Sequence, residues 1–477
     1  MMPSLLILIP LFVIMAINIS PKNTWRKTAF YLALALFAIQ MVLAVFHHKL
    51  FMTNEAASLD NFFKVDLSID HLGIVALVCM GIVSMASLFV SRYMPLEESE
   101  RFRFTNLLVL MSIGMCGIVM ARDIFSLYVF LEITAVSSFV LIAFKKDILG
   151  LEGAFKYLVL SAVATVFMLL SIATILLVAK DTSFASIATA LKGPGSSPVI
   201  TAAIAIFLCG LFIKGGIFPF HGWLPDAYAS SPAPVSVLLA GIVTKVAGVY
   251  TIMRVTLLFG SNPSINNILL VVGTLSILVG AFAALGQDNF KRMLAYSSIS
   301  QVGYIVLGIG AGNGLGMAAA IFHFFNHAMF KSLLFVNSAA LEKETGTVSM
   351  SKMGGLAERM PVTGTTSVIG ILSAAGIPPL AGFWSKLLII VALWQAERYA
   401  YSAIAVFAGV VTLGYLLTMQ RKVFFGKLSA GLENIKEAGF GIIMPSIVLA
   451  AIIVLTGIFF PFIFQNFIVP VKDMVVR

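Results

Sequence analysis

Apolar runs long enough to cross a bilayer follow one another along almost the whole chain, separated by short polar loops. A spanning helix needs about 20 apolar residues. The pattern predicts about fourteen: residues 3–19, 29–47, 71–91, 105–121, 124–144, 154–178, 199–218, 234–259, 265–286, 294–312, 314–340, 363–395 (interrupted), 401–419 and 441–466. No linker, low-complexity tract or soluble domain breaks the series; the longer polar stretches, near 48–70, 180–198, 341–361 and 420–440, have ordinary loop lengths. The first run has no basic flank ahead of it and no small-residue cleavage site, so it reads as a retained helix rather than a signal peptide. The expected fold class is an all-α polytopic membrane protein.

Composition sharpens this. Of 477 residues, 60% are hydrophobic and only 11% charged, with a mean hydropathy of +1.02, whereas a soluble globule carries about 25% charged residues. A net charge of +10 would suggest a nucleic-acid partner in a soluble protein; here its placement says more, and no nucleic acid is expected. Of the 31 Lys and Arg, seventeen fall in odd-numbered loops, among them Lys22, Lys145, Lys146, Lys291, Arg292 and Lys436. Nine fall in even loops and tails, including Lys64, Arg122, Lys192, Arg254 and Arg477, and five lie within the runs. Basic loops mark the cytoplasmic side. The chain is thus expected as a multi-pass protein of the cell (cytoplasmic or inner) membrane, with an even helix count and both termini outside. Cys79, Cys116 and Cys209 are isolated within helices and offer no disulfide framework, CxxC pair or iron–sulfur ligand set.

An internal repeat is visible. GIFPFHGW (216–223) returns as GIPPLAGF (376–383), and Asp123-Ile-Phe125 opens a helix as Asp288-Asn-Phe290 does later. The two offsets nearly agree, and they relate helices four to eight to helices nine to thirteen. With five helices per unit the second copy starts on the opposite side of the membrane, an inverted repeat with sites at the repeat interface. The predicted divisions are 1–104 (helices one to three), 105–260 (first repeat), 261–420 (second repeat) and 421–477 (final loop and helix). Each repeat holds a Pro/Gly-broken helix, since proline removes a donor and clashes one turn back. A packing kink would explain the breaks alone. A lysine beside each, Lys214 just before Gly216 and Lys386 one turn after Gly382, favours function.

An ionisable group at bilayer depth costs roughly 3 kcal/mol or more and usually marks an ion path. Glu132 lies in YVFLEITAVSS, Lys214 at the far end of its run, and Lys245 near mid-bilayer, too deep for snorkelling. His323, His327 and Lys331 share one helix face at i, i+4, i+8. A metal site lacks further ligands there, and an inert polar seam is the plain alternative. A relay suits better, because neutral imidazole donates and accepts at once. Lys386 is either a helix-end anchor or a terminal proton site. Lys156, two turns inside its helix, fits a snorkelling anchor as well as a functional group. His221, Asp226 and Lys291 are expected at helix ends near water. A lone buried lysine loses its proton and a nearby carboxylate restores it, so Glu132 is expected to hold a proton on Lys214 that passes towards Lys245.

These residues resemble the antiporter-like subunits of respiratory complex I, of membrane-bound hydrogenases and of multisubunit Na⁺/H⁺ antiporters. The resemblance spans nearly the whole chain and is carried by GGIFPFHGWLPDAYASSPAPVSVLLAGIVTKVAGVY, NHAMFKSLLF and GIPPLAGFWSK. It implies about fourteen transmembrane helices with two inverted five-helix repeats and two broken helices. Glu132 matches the family's fifth-helix glutamate, Lys214 the lysine of the first broken helix and Lys245 the eighth-helix lysine. His323, His327 and Lys331 match the connecting segment, and Lys386 the terminal site, where some members carry glutamate. Only a short tail follows residue 466, so the lateral helix of the largest family subunit is not expected. The expected function is proton translocation (with Na⁺ as the other ion) within a redox-driven membrane complex. No catalytic, cofactor or metal site is expected in this chain; flavin and iron–sulfur clusters would sit in partner subunits, and the expected neighbours in the membrane are other integral subunits, paralogues among them, and lipid. A self-sufficient Na⁺/H⁺ antiporter is the alternative, and a structural scaffold with a dead channel the third.

Overall fold

The computed structural model describes residues 3–19, 24–50, 66–94, 96–191, 198–260 and 262–472. The loop residues Lys22, Lys64, Lys192 and Arg477 lie outside them. Among the described residues the chain is helical throughout, with isolated β-bridges but no extended strands. Twelve helices are long and apolar enough to span, and three shorter apolar ones, Leu5–Ile19, Pro361–Ala375 and Ala381–Gln395, accompany them.

The elements that place the site are α1 (His71–Arg92), α2 (Glu98–Met120), α3 (Ile124–Ile142), α4 (Ile148–Ala179), α5 (Pro198–Gly215), α6 (Ala233–Phe259), α7 (Pro263–Leu285), α8 (Phe290–Gly310) and α9 (Gly314–Thr345). They are followed by α10 (Pro361–Ala375), α11 (Ala381–Gln395), α12 (Tyr399–Phe424) and α13 (Phe440–Ile458). Burial sorts them. The apolar windows of α6, α8 and α9 are 100%, 94% and 94% buried, while that of α4 is only 28% buried. The three sequestered helices carry Lys245, Lys291 and the His323–His327–Lys331 face, so these groups sit at the centre of the bundle.

The inverted repeat is present in the backbone hydrogen bonds themselves. Ile124 N bonds Thr182 O at 2.9 Å and Phe184 N bonds Arg122 O at 2.8 Å; Phe290 N bonds Val348 O and Met350 N bonds Asp288 O, both at 2.8 Å. Donor for donor and acceptor for acceptor, the second pair repeats the first in a single register, which equates Ile124 with Phe290. Helices α4 and α9 keep that register. Both have 32 residues, both are capped by a side chain accepting from an N–H at 2.7 Å (Asp147 from Gly150, Asn313 from Gly316), and both end on a left-handed residue, Lys180 or Gly346. The helix-opening cap of Asp123 therefore corresponds to Asn289, the neighbour of the Asp288 matched from the sequence. Helix α9 is the fifth span after α4, so the copies run in opposite senses.

Both predicted breaks are there, in matching geometry. Gly216 and Gly376 take φ of 62° and 88°, and each is followed by a cis proline bond, Phe218–Pro219 and Pro378–Pro379. Ile217 N reaches back to Phe212 O at 2.9 Å and Ile377 N to Leu372 O at 3.0 Å, absorbing carbonyls freed by the break. The first break is pinned against α6, where a Cβ on Gly248 would lie 2.3 Å from the Gly215 Cα. Small residues allow such backbone contact between membrane helices. Gly248→Ala is expected to overpack this contact at about 1–3 kcal/mol, read as a lower melting temperature of the detergent-solubilised protein.

Candidate functional site

The site starts on α5, whose apolar run ends at Lys214 just ahead of the break. The amine is fully buried and donates to Glu132 Oε1 on α3 at 2.9 Å and to Ser161 Oγ on α4 at 2.5 Å. Thr165, one turn beyond Ser161, donates to the same carboxylate oxygen at 2.8 Å. The pair predicted from two charges in separate apolar runs is thus formed, with two hydroxyls completing it. The Glu132 side chain is 29% exposed, because α3 presents that edge to the outside of the bundle.

Lys245 lies at the start of a π-helical stretch, Lys245–Tyr250, that succeeds another, Leu239–Val243. A π turn shifts bonding from i−4 to i−5 and leaves carbonyls without their usual donors. Lys245 takes one of them, donating to Ala240 O, while Thr244 Oγ1 and Tyr228 OH both donate to Leu239 O. The contact of Gly248 with Gly215 brings this stretch against the residue next to Lys214.

On α9, the His323 and His327 rings stack nearly parallel with centroids 6.2 Å apart. His323 Nδ1 pairs with Ser385 Oγ at 2.8 Å, and Lys331 donates to Leu294 O at 2.9 Å. His323, His327 and Lys331 share a face but make no hydrogen bond to one another; His327 lies within electrostatic reach of Lys245, Lys331, His323 and Lys386. Several buried polar atoms here have no protein partner: both nitrogens of His327, His323 Nε2, Asn326 Oδ1, Ser84 Oγ and Ser332 Oγ. Buried polar atoms without partners are costly, and ordered water is the usual means of satisfying them. Around the His323–His327 face, polar hydrogen-bonding capacity is therefore left over that neither neighbouring side chains nor backbone take up.

Lys386 closes the series. It springs from α11 after the second break, donates back to Ala374 O at 2.7 Å and sits 4.4 Å from the centroid of the Tyr304 ring. When the two breaks are aligned on Gly216 and Gly376, Ala374 takes the place of Lys214. Each repeat therefore has an ammonium beside its break, borne by the residue before it in the first copy and by one after it in the second. In the register that equates Ile124 with Phe290, Glu132 corresponds to Ser298, which leaves the second ammonium without a carboxylate counterpart.

The remaining predicted residues lie elsewhere. Lys156 is 42% exposed and pairs with Glu152 and Asp226, both at 2.6 Å, so it is a surface group. Asp226 also accepts from Arg292 at 2.5 Å; burial would raise its carboxyl pKa, but Lys156 and Arg292 outweigh it and hold it below the usual range. His221 stacks on Phe218, and burial lowers its imidazole pKa. Lys291, expected near water, is instead buried and bound to Glu342 at 2.5 Å and to Ser231 O at 3.2 Å. Arg254, counted with the loops, is a buried residue of α6. Among the described residues no three His, Cys, Asp or Glu side chains gather as a metal site requires.

Sequence reasoning missed the cluster that fastens Arg254. Asp70 caps α1 through Gly73 N at 2.8 Å, pairs with Arg122 at 3.0 Å and takes both terminal nitrogens of Arg254. Burial alone would raise the Asp70 pKa; the two guanidiniums reverse that and hold it well below the carboxylate range. The signal available was an arginine inside an apolar run, the criterion already applied to the lysines.

The family described as NADH:quinone oxidoreductase/Mrp antiporter, transmembrane, matches residues 121–412, which hold every group of the central series. The D subunit of the Na⁺/H⁺ antiporter of Alkalihalophilus pseudofirmus is 31% identical over 405 residues, 84% of this chain and 82% of the relative. The N subunit of the NADH-quinone oxidoreductase of Desulforudis audaxviator is 33% identical over 431 residues, 87% of this chain and 84% of the relative. A chain of the membrane-bound sulfane sulfur reductase, an archaeal respiratory membrane complex, superposes with a TM-score of 0.88 at 27% identity, covering 100% of this chain and 98% of the other. A chain of the Mrp complex from Dietzia sp. DQ12-45-1b shares the fold, with a TM-score of 0.89 at 21% identity over 99% and 97% of the two chains. With its two matched breaks and its Glu–Lys–His series, this chain belongs to the membrane-subunit family shared by NADH:quinone oxidoreductases and Mrp antiporters.

Proposed function

We propose that this chain is a proton-translocating, antiporter-like subunit of a multisubunit redox-driven membrane complex. The path runs from Glu132–Lys214 through Lys245 and the His323, His327 and Lys331 face to Lys386. The supporting observation is that these groups, with the unpaired polar atoms around His327, cross both repeats in one largely buried series. Protons fit better than Na⁺, since the series offers amines and imidazoles and a single carboxylate, whereas hard cations favour clustered oxygens. The working unit divides at residues 105, 261 and 421. It sits in the cell membrane with its termini outside, beside other membrane subunits, in an assembly whose partner subunits carry the flavin and iron–sulfur groups. Asp226 and His221 are accessory to this path, whereas Lys156, paired at the surface, is not part of it.

The likeness to a D subunit of a Na⁺/H⁺ antiporter keeps a second reading in play, that of an antiporter component. Purification of the chain with its native partners separates the two. The expected result is flavin or iron–sulfur absorbance in the intact assembly and no proton-coupled Na⁺ uptake by liposomes holding this chain alone. Na⁺ uptake by those liposomes, without redox absorbance in the assembly, would select the antiporter.

A further inference from the structure

A cavity of about 930 Å³ opens between the start of α2, the end of α3 and the start of α4, outside the series described above. Its rim carries Arg103, Lys145 and Lys146, all exposed, and among the described residues none of the three forms an ion pair. Two carboxylates also line the cavity, but neither pairs with these cations: Glu100 accepts from Glu97 N at 3.2 Å, and Asp147 caps α4. The floor is Leu107, Val140, Phe144 and Leu151. From it an apolar face runs along α3, where Val140 and Val136, one turn apart, are 47% and 55% exposed. A cationic mouth above an apolar trough, at the end of membrane helices, is amphipathic in the sense of a phospholipid.

The repeat provides an internal control. In the register that equates Ile124 with Phe290, the residues Arg103, Lys145 and Lys146 correspond to Leu269, Ala311 and Gly312, so the fold itself does not call for the cations. Lys146 takes φ of 56°, a left-handed conformation that the second copy assigns to glycine at Gly312, φ 70°. Non-glycine residues adopt that conformation at a cost, yet the first copy keeps a lysine there. In the second copy the place is filled, because Asn266 lies so close that a Cβ on Gly312 would meet its amide nitrogen at 2.4 Å. In the first copy it is open.

We infer that this cavity binds the headgroup of an anionic diacyl phospholipid, its phosphate held by Arg103, Lys145 and Lys146 and its acyl chains lying over Val140 and Val136. The basic loops put this end of the helices at the cytoplasmic face, whose leaflet is anionic and attracts such clusters. An acidic polypeptide would use the rim but has no need of the trough.

The test is native mass spectrometry of the full chain during stepwise delipidation, with dioleoyl phosphatidylglycerol and dioleoyl phosphatidylcholine as probes. The wild type should retain phosphatidylglycerol at least about tenfold more tightly than phosphatidylcholine, and Arg103→Gln/Lys145→Gln/Lys146→Gln should lower its retention on the order of a hundredfold. Lys146→Gly, the residue the second copy already uses, preserves the backbone should the triple variant fail to fold, and should cost about fivefold. Equal retention of the two lipids overturns the inference, as does unchanged retention in both variants. Displacement of the bound species by millimolar inorganic phosphate would make it a free-anion site, and an acidic polypeptide co-purifying there would make it a protein contact; either result also overturns it.

Discussion

Lys214→Ala abolishes proton translocation by the intact assembly without preventing its formation. The amine is fully buried and has three near neighbours, Glu132, Ser161 and, through the carboxylate, Thr165. Removing it deletes the proton-bearing group yet leaves Glu132 its Thr165 hydroxyl donor at a partly exposed edge of the bundle. Glu132→Ala acts in the opposite direction on the same pair. It leaves a buried ammonium with the Ser161 hydroxyl as its remaining side-chain partner, and breaking a buried pair in this way costs roughly 3–5 kcal/mol. Both variants should therefore lose translocation, measured as quenching of a pH-sensitive dye in inside-out vesicles, with assembly read on a native gel. Lys156→Ala is the control. Its pairs are at the surface, where such contacts are worth about 0–1 kcal/mol, so pumping should stay close to native. Native pumping in both Lys214→Ala and Glu132→Ala removes the proposed path.

Asp70→Asn carries the largest expected loss of stability. A single carboxylate pairs with both Arg122 and Arg254, and the second of these is buried in α6. The amide keeps the shape but strands a guanidinium, for roughly 3–5 kcal/mol. Because α6 carries Lys245, this fastening also fixes the end of the helix whose middle is π-wound. The same ion cluster sets a pH dependence. A carboxyl whose pKa is depressed on folding contributes stability that is complete above its unfolded value, about 3.9, and is lost as the pH falls through the folded one. Wild-type melting temperatures should fall on acidification below about pH 4, and Asp70→Asn should flatten that dependence. An unchanged acid limb in the variant would remove Asp70 from the account.

The fold and the outline of the site were legible because both follow from a solvent that tolerates neither free backbone polar groups nor stray charges. Apolar run lengths located the helices, Pro and Gly located the breaks, and charges in apolar surroundings located Glu132, Lys214, Lys245, Lys331 and Lys386. What escaped depended on distance along the chain or on rotation about a helix axis. Ser161 and Thr165 look like any membrane-helix hydroxyls until α4 packs against α3 and α5. Asp70 meets Arg254 across 184 positions, and neither residue announces the other. Lys291 follows the polar Gln287-Asp288-Asn289 and so read as an end residue, although α8 turns it inward onto Glu342. Lys156 shows the converse: its run fits an anchor as well as a functional group, and only the fold turns the amine outwards onto Glu152 and Asp226. The two π-helical stretches have no composition that sets them apart from α-helix.

Glu132 keeps one edge open, and experiment must reckon with what covers it. Whatever lies against that side of the helix, whether acyl chains, detergent or another polypeptide, sets the local dielectric around the first ion pair. The neighbour is then a physical component of the gate, and the same two residues will hold their shared proton with different strength in a micelle and in the native assembly. Rates measured on the solitary chain accordingly describe a different machine from the one that operates in the cell.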